Sequence, residues 1–328
     1  MKRFMFVLAV FGFLLVGVLS ACGDETSGNN SSAEDNDNAD DGDKHKIGIL
    51  APAVTHGWVA AVAYHAENRA EELSDEIDYK IQTSSDAKEM SSQLDDLMTW
   101  GAEAIVAFPQ WEGMETSIQK ALDDGIEVVN FDIEIDAEGV YRVAGDNEEI
   151  GIEGAKYIVD KIGEEGTVVV LENPSAGSVS ELRVNGFKDT IAEIAPDMEL
   201  ETYATEFTAE AGLKDFSDIL TSLDHIDAVF SIDDETSLGV LQAIEESGRD
   251  EIQVVTGAGG KQEYFKKMPE FDDMWIESGL YSPEMVQDAV DVAVDLLNGE
   301  DVEQETIIPT TIVDKENYEE FLDEDSPY

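Results

Sequence analysis

Cysteine is almost missing from this chain of 328 residues. Cys22 is the only one, so no intrachain disulfide can form. The four histidines, His45, His56, His65 and His225, include no pair at zinc spacing, and no second cysteine could complete a site. Basic residues are scarce: 19 Lys and Arg stand against 75 Asp and Glu, for a formal charge of −56. A surface of that sign repels nucleic acid and anionic membrane. The acids are spread along the chain, so the charge does not itself call for a cationic ligand. Long apolar runs are missing after residue 19, and none of the rest approaches the ~20 residues a membrane span needs. Catalytic signatures are missing too. "TGAGGKQ" (256–262) has Val255 where a Walker loop needs Gly, and Gln262 where it needs Ser or Thr. A dinucleotide fingerprint would need Gly at 262 as well. "SAGSVS" (175–180) lacks the spacing of a nucleophile elbow. No Ser or Cys is set beside a His with a third orienting group. Nothing here calls for an enzyme, a cofactor or a metal. "DNDNADDGD" (35–43) is faintly like a calcium loop, but it has no folded body around it.

What is present begins at the N-terminus. Lys2 and Arg3 precede an apolar run over 4–19, and "LSAC" (19–22) closes it. That length, ending in small residues, predicts a secretory signal over 1–21 rather than a membrane span. Cys22 has no core around it to bury a thiol. "LSAC" resembles the bacterial lipobox, in which the cysteine becomes the lipid-modified first residue after cleavage. The resemblance implies acyl chains that anchor the protein without spanning the membrane. Residues 24–43 are mostly Ser, Asn, Gly, Asp and Glu, with no basic or large apolar residue. Such a composition predicts a disordered, charge-extended tether over 22–44. The acidic coat suits high salt, which screens self-repulsion, and predicts a halophilic or salt-tolerant bacterial source.

The body from about Lys44 onward is long enough for two ordinary domains. Short apolar runs fall at 46–51, 79–83, 104–108, 127–131, 167–172, 228–232 and 252–256. Amphipathic stretches separate them. Val59, Val62, Ala63, Ala66, Ala70 and Leu73 make one continuous helical face, and similar stripes occupy 90–100, 114–124, 150–162, 179–194, 211–223, 236–247 and 285–297. Alternating strand and helix predicts parallel sheets covered on both faces, crossing over right-handedly. The strands are too many for one small sheet. A break near Gly145–Asn147 divides the body into two similar halves, which predicts an α/β fold of two doubly wound lobes. Ligands of such sheets bind beyond the carboxyl ends of the strands. The strand-end loops are therefore where chemistry belongs.

Those loops carry His56 and Trp58, then Pro109, Gln110 and Trp111, then Phe131 and Asp132. Asn173, Arg183, Glu206, Phe207, Asp233 and Asp234 follow. Each has a plain explanation: Asp233 or Asp234 caps a helix, Trp58 packs in a first turn, Arg183 pairs with a surface acid. Together they are aromatics with Asp, Asn and Arg around one cleft. That mixture suits a polyhydroxylated ring, whose adjacent hydroxyls meet planar carboxylate and guanidinium groups while its C–H faces meet aromatic rings. "TGAGGKQ" reads as a tight strand-end turn whose glycines let backbone approach closely either a ligand or another loop.

Over residues 46 to about 313 the chain resembles the type 1 periplasmic-binding-protein family of the ribose and galactose class, the substrate-binding lipoproteins of sugar ABC transporters. The resemblance rests on "KIGILAP", "AIVAFPQ", "VVNFD", "AGDNEEIGIEGAKYI", "ELRVNGFKDTI", "DAVFSIDDETSLGVLQAI" and "VVTGAGG". Its most specific parts are Arg-x-x-Gly-Phe (183–187) and Asp-Asp-Glu-x-x-x-Gly (233–239). It implies two lobes joined by a multi-strand hinge, one from 45–145 plus about 279–306, the other from 146–278 plus about 307–328. It further implies a ligand set: Trp58 and Phe207 stacking on the sugar, Asp132 and Arg183 gripping hydroxyls, Asp233 where the ribose class has Asn, and Ser278 loosely in place of a glutamine. Three departures point to a changed ligand. Gly257, Ala258 and Gly259 replace a Gly-Phe-Asp, removing a carboxylate at Gly259. Thr55, His56, Gly57 and Trp58 replace an Asn-Pro-Phe-Phe. Ile133 follows Asp132 where ribose binders have arginine. Trp111 is the candidate to supply lost contacts, and His56 either donates to ligand or caps the helix.

The resemblance implies a monomeric, extracytoplasmic, lipid-anchored binding protein on the outer face of a bacterial cytoplasmic membrane. It would deliver a monosaccharide or related polyol to ABC permease subunits by hinge closure, without cofactor, metal or turnover. A second reading is a binder of a cyclitol or furanosyl signal that serves a transporter or a sensor kinase. A transcription regulator of the same body lacks DNA-binding helices here, and a surface hydrolase lacks a nucleophile and base.

Overall fold

The computed structural model describes residues 44–53, 57–111 and 113–328. The signal-like run, Cys22, the tether through Asp43, and His56 lie outside the described residues.

The chain alternates strand and helix from its start. β1 (His45–Pro52) leads to α1 (Gly57–Glu72), β2 (Ile77–Ser84), α2 (Ala87–Trp100), β3 (Ala104–Ala107), α3 (Glu115–Asp123), β4 (Glu127–Phe131) and β5 (Tyr141–Gly145). Next come α4 (Asn147–Ile162), β6 (Thr167–Glu172), α5 (Ser178–Ile194), β7 (Glu199–Ala204) and α6 (Ala209–Ser222). β8 (Ala228–Phe230), α7 (Asp234–Ser247), β9 (Val254–Val255), α8 (Gln262–Lys267) and β10 (Trp275–Gly279) follow. α9 (Val286–Leu297), β11 (Glu305–Ile308) and β12 (Ile312–Asp314) come last.

The strands form two six-stranded sheets, ordered β11-β5-β4-β3-β1-β2 and β12-β10-β9-β8-β6-β7. Every pairing is parallel except β10 with β12. Parallel sheets need cover on both faces, and alternate side chains of each strand supply the two cores. In the first sheet Ile49 and Val106 pack beneath α1 and α9, while Leu50 and Ile105 pack beneath α2 and α3. In the second, Val168 and Phe230 face α4 and α5, while Val169 and Val229 face α6, α7 and α8. The result is two doubly wound parallel lobes. The chain crosses between the sheets three times: from β5 to α4, from β10 toward α9, and from β11 to β12. β11, at the edge of the first sheet, ends at Ile308.

Two strands are shorter than the apolar runs predict. β8 stops at Phe230 and β9 at Val255, because a side chain takes over the pairing. The Thr256 hydroxyl accepts from the Ser231 N–H (3.0 Å) and donates to the Ser231 carbonyl (2.9 Å). Both chains are thereby released into loops at the sheet's carboxyl edge, and the next helix, α7, starts at once. The Asp233 carboxylate caps it by accepting from the Thr236 N–H at 2.9 Å.

The glycines of the two most specific sequence patterns set helix separations. A Cβ on Gly186 of α5 would stand 2.5 Å from the Glu148 carbonyl of α4. One on Gly239 of α7 would stand 2.1 Å from the Ala209 carbonyl of α6. Only hydrogen lets these pairs approach so closely, and the approach brings Arg183 of α5 up to Asn147 at the start of α4 (Nε to Oδ1, 2.8 Å).

Candidate ligand cleft

Side chains from both lobes converge on Tyr281, in the crossing between β10 and α9. Its hydroxyl donates to Asp132 Oδ1 at 2.5 Å and accepts from Asn147 Nδ2 at 3.2 Å. The Asn147 Oδ1 accepts from Arg183 Nε at 2.8 Å, and Arg183 Nη1 donates to the Ile232 carbonyl at 2.6 Å. The guanidinium also lies over the Tyr281 ring, 4.7 Å from its centroid. Asp132, Asn147, Arg183 and Tyr281 are all buried.

Asp132 follows β4 in a left-handed conformation, φ 71°, unusual for a residue with a side chain. Its backbone is held on both sides: its N–H donates to Val143 O (2.9 Å), and its carbonyl accepts from Arg142 Nε (3.1 Å) and Nη2 (3.0 Å). Burial pushes its carboxyl above the ordinary value, while the Tyr281 hydroxyl, Arg183 and Arg142 pull it down. Trp58 stands in the first turn of α1. Its ring lies parallel to Phe131 (6.1 Å, 10°) and edge-on to Phe108 (5.8 Å), and its indole N–H donates to the Tyr281 carbonyl at 2.8 Å.

A second group gathers at the start of α7. Asp234 is fully buried, and its Oδ2 accepts from the N–H groups of Gly260 (2.8 Å) and Lys261 (2.8 Å) and from Ser278 Oγ (3.0 Å). Its Oδ1 is buried without a partner. The turn in "TGAGGKQ" therefore wraps an acid of the chain itself. Burial pushes Asp234 up to about 6 against those donors. Burial also pushes Asp233 up to about 7, against its Thr236 bonds, with Asp234 and Glu235 adding to the rise. Glu235 reaches across to the first lobe, where its Oε1 accepts from the Gly57 N–H at 3.1 Å. Lys261 Nζ is 3.4 Å from the same oxygen.

The residues named from sequence are thus distributed. Trp58, Asp132 and Arg183 meet at Tyr281. Asp233, Gly259 and Ser278 stand around Asp234. Trp111 instead packs, half-buried, on the cluster under α2 and α3, and Phe207 packs on the cluster under α4 and α5. His56 lies outside the described residues. Sequence reasoning passed over Asn147, Glu235 and Tyr281, and carried Asp234 only as one of the strand-end acids. Asn147 stands inside "AGDNEEIG", just past the end of β5, and Tyr281 stands two residues past the end of β10, a strand the apolar runs did not mark, so a stricter use of the strand-end rule would have reached Asn147.

Two doubly wound lobes, three crossings and a buried set of acid, guanidinium, amide and aromatic groups between them define a hinged solute-binding protein. Residues 47–301 match the family of periplasmic binding protein domains, and the chain belongs to that family. Its members bind solutes and are not enzymes. The chain is 27% identical to the ribose import binding protein RbsB of Bacillus subtilis, over 70% of this chain and 74% of that protein. It is 23% identical to a xylitol-binding protein of Mycolicibacterium smegmatis, over 86% of this chain and 80% of that one. Its fold superposes with a TM-score of 0.77 on an ABC transporter solute binding protein from Bacillus halodurans C-125 with bound myo-inositol, at 21% identity, covering 87% of this chain and 98% of that one.

Proposed function

We propose that this chain is the extracytoplasmic solute-binding protein of an ABC importer and that it holds a monosaccharide or related polyol between its lobes. The observation that carries the reading is the Asp132–Tyr281–Asn147–Arg183 array, buried beside Trp58. The Tyr281 phenol already rests on Asp132 as a sugar hydroxyl would. A neutral, hydroxyl-rich ligand offers the same donors and acceptors, and its C–H face suits the neighbouring rings. Asp132 and Arg183 are the gripping pair, Trp58 is the apolar wall, and Asp233 and Ser278 belong to the opposite side. The body works as a monomer, Cys22 carries the lipid anchor, and the acidic coat adapts the protein to high salt.

A thermal-shift screen of the Cys22→Ser chain against pentoses, hexoses, polyols and cyclitols tests this. Calorimetry would follow on each hit. A solute at a hundred times its Kd stabilises the folded form by about 2.7 kcal/mol. Asp132→Asn and Trp58→Ala should each weaken the hit at least about tenfold, since each removes a direct contact worth a buried hydrogen bond or a ring face. No shift with any of these solutes would end the reading. The anchor is read separately, by incorporation of labelled palmitate that Cys22→Ser abolishes.

A further inference from the structure

One residue inside the cleft comes from neither strand ends nor helix starts. Tyr328 is only 5% exposed and joins the apolar cluster that contains Trp58, Ala258 and Tyr281. Its ring touches both lobes. A Cβ on Gly57, the first residue of α1, would stand 3.2 Å from its Cδ2. A Cβ on Gly259, in the loop after β9, would stand 2.9 Å from its hydroxyl. The Lys261 ammonium lies over the ring, 4.5 Å from the centroid. The charges that bear on the phenol are Asp234, Asp233, Glu235 and Arg183, the groups of the site itself.

The segment that brings the ring here has no helix or strand after Phe321. One residue, Gln262, fastens it at three points. The Gln262 N–H donates to the Tyr328 carbonyl (3.0 Å), its Nε2 donates to the Phe321 carbonyl (3.0 Å), and its Oε1 accepts from the Asp323 N–H (2.8 Å). Between Asp323 and Tyr328 lie Glu324 and Asp325, which water solvates readily. Few bonds to the body and an irregular, acidic run give this part of the cleft wall little to hold it in place. Gly259, at φ 142°, leaves the space that the phenol fills.

We propose that the segment 322–328 is a built-in occupant of the cleft, with Tyr328 seated where solute must enter, and that solute binds only as the ring leaves. The proposal rests on the reading of the cleft as a solute site. It predicts a tax on affinity equal to the fraction of molecules with the ring out.

Two measurements on the full-length chain with Cys22→Ser decide it. Hydrogen exchange comes first, because it needs no solute. Tyr328→Ala should speed exchange at the Gly57 and Gln262 amides and leave β3 and β6 protected, whereas Tyr328→Phe should behave as wild type. Unchanged protection at Gly57 and Gln262 in Tyr328→Ala would overturn the seating. Calorimetry with a solute found by the screen comes second. Tyr328→Ala should bind it about tenfold more tightly or better. Equal or weaker binding would overturn the competition and make Tyr328 a contact of the bound solute. If neither form binds any saccharide, polyol or cyclitol, the failure belongs to the function reading, and hydrogen exchange still decides the seating.

Discussion

A phenol hydroxyl donates one hydrogen bond and accepts others, and at Tyr281 both capacities are used inside the cleft. Tyr281→Phe keeps the ring over Arg183 but leaves Asp132 without its donor and Asn147 without its acceptor. The variant should lose about 1–3 kcal/mol of stability in urea unfolding, the usual cost of orphaning a buried polar group. A change within error would mean that water replaces the hydroxyl freely. Asp234 gives a pH signature. Its folded pKa, about 6, lies above the ordinary 3.8, so the folded state holds its proton longer than the unfolded chain does. Stability from this group is therefore complete below about pH 4 and is lost as pH rises through 6, a total on the order of 3 kcal/mol. Asp234→Asn cannot titrate, so wild type should lose stability relative to it between pH 4 and 7, by urea midpoints. A parallel pair of curves would refute the shift. At this scale legibility was uneven. Asp132 and Arg183 stand where the strand-end rule and the helix pattern put them. Tyr281 sits in "GLYSPE", where no periodicity marks a pocket, and Asp233 and Asp234 are neighbours whose tasks differ only through backbone direction. One caps α7, the other is bound by Gly260 and Lys261.

Elements buried on both faces announce themselves as unbroken apolar runs. β3 and β6, each flanked by strands on both sides, read directly from "AIVA" and "TVVVLE". The strands that escaped notice lie mostly at edges. β7, "ELETYA", and β11, "ETII", are half or wholly open to solvent, so nothing in their composition demands burial. β12 and α8 are too short to show a period. The helices were easier, since each has one buried stripe against a sheet. What no stripe reveals is the distance between two helices, which Gly186 and Gly239 set. Gly186→Ala would drive a methyl to 2.5 Å from the Glu148 carbonyl, so α4 and α5 must part. Overpacking of this kind costs about 1–3 kcal/mol, and here it would also pull Arg183 from Asn147. Denaturant unfolding of Gly186→Ala should show that loss together with weaker solute binding. Loss of stability with full affinity would mean that the Arg183 contact survives the separation.

Across the whole molecule, the lobes are tied at specific points, among them Gly57 to Glu235, the Tyr281 hydroxyl between Asp132 and Asn147, and the Tyr328 ring against α1. Set against them is the charge of the chain, −56 in 328 residues. Many of its scarce cations already face an acid at the surface, as Lys120 faces Asp95 and Arg142 faces Glu305. Exposed pairs of this sort contribute little, and they leave most acids uncompensated on both lobes. Like charges on two facing lobes oppose closure as well as folding. Salt acts on that repulsion directly, because the screening length falls from about 30 Å at 0.01 M to about 3 Å at 1 M. The melting temperature should therefore climb steadily from 0.01 M to 1 M NaCl. Each 1 kcal/mol of relieved repulsion is about 2–4 °C for a chain of this size. KCl should give the same curve, since screening does not distinguish the two cations. Differential scanning calorimetry over that series is the check. A melting temperature flat across the first hundredfold in salt would show that the acids are too dispersed to repel, and the acidic coat would then need another explanation.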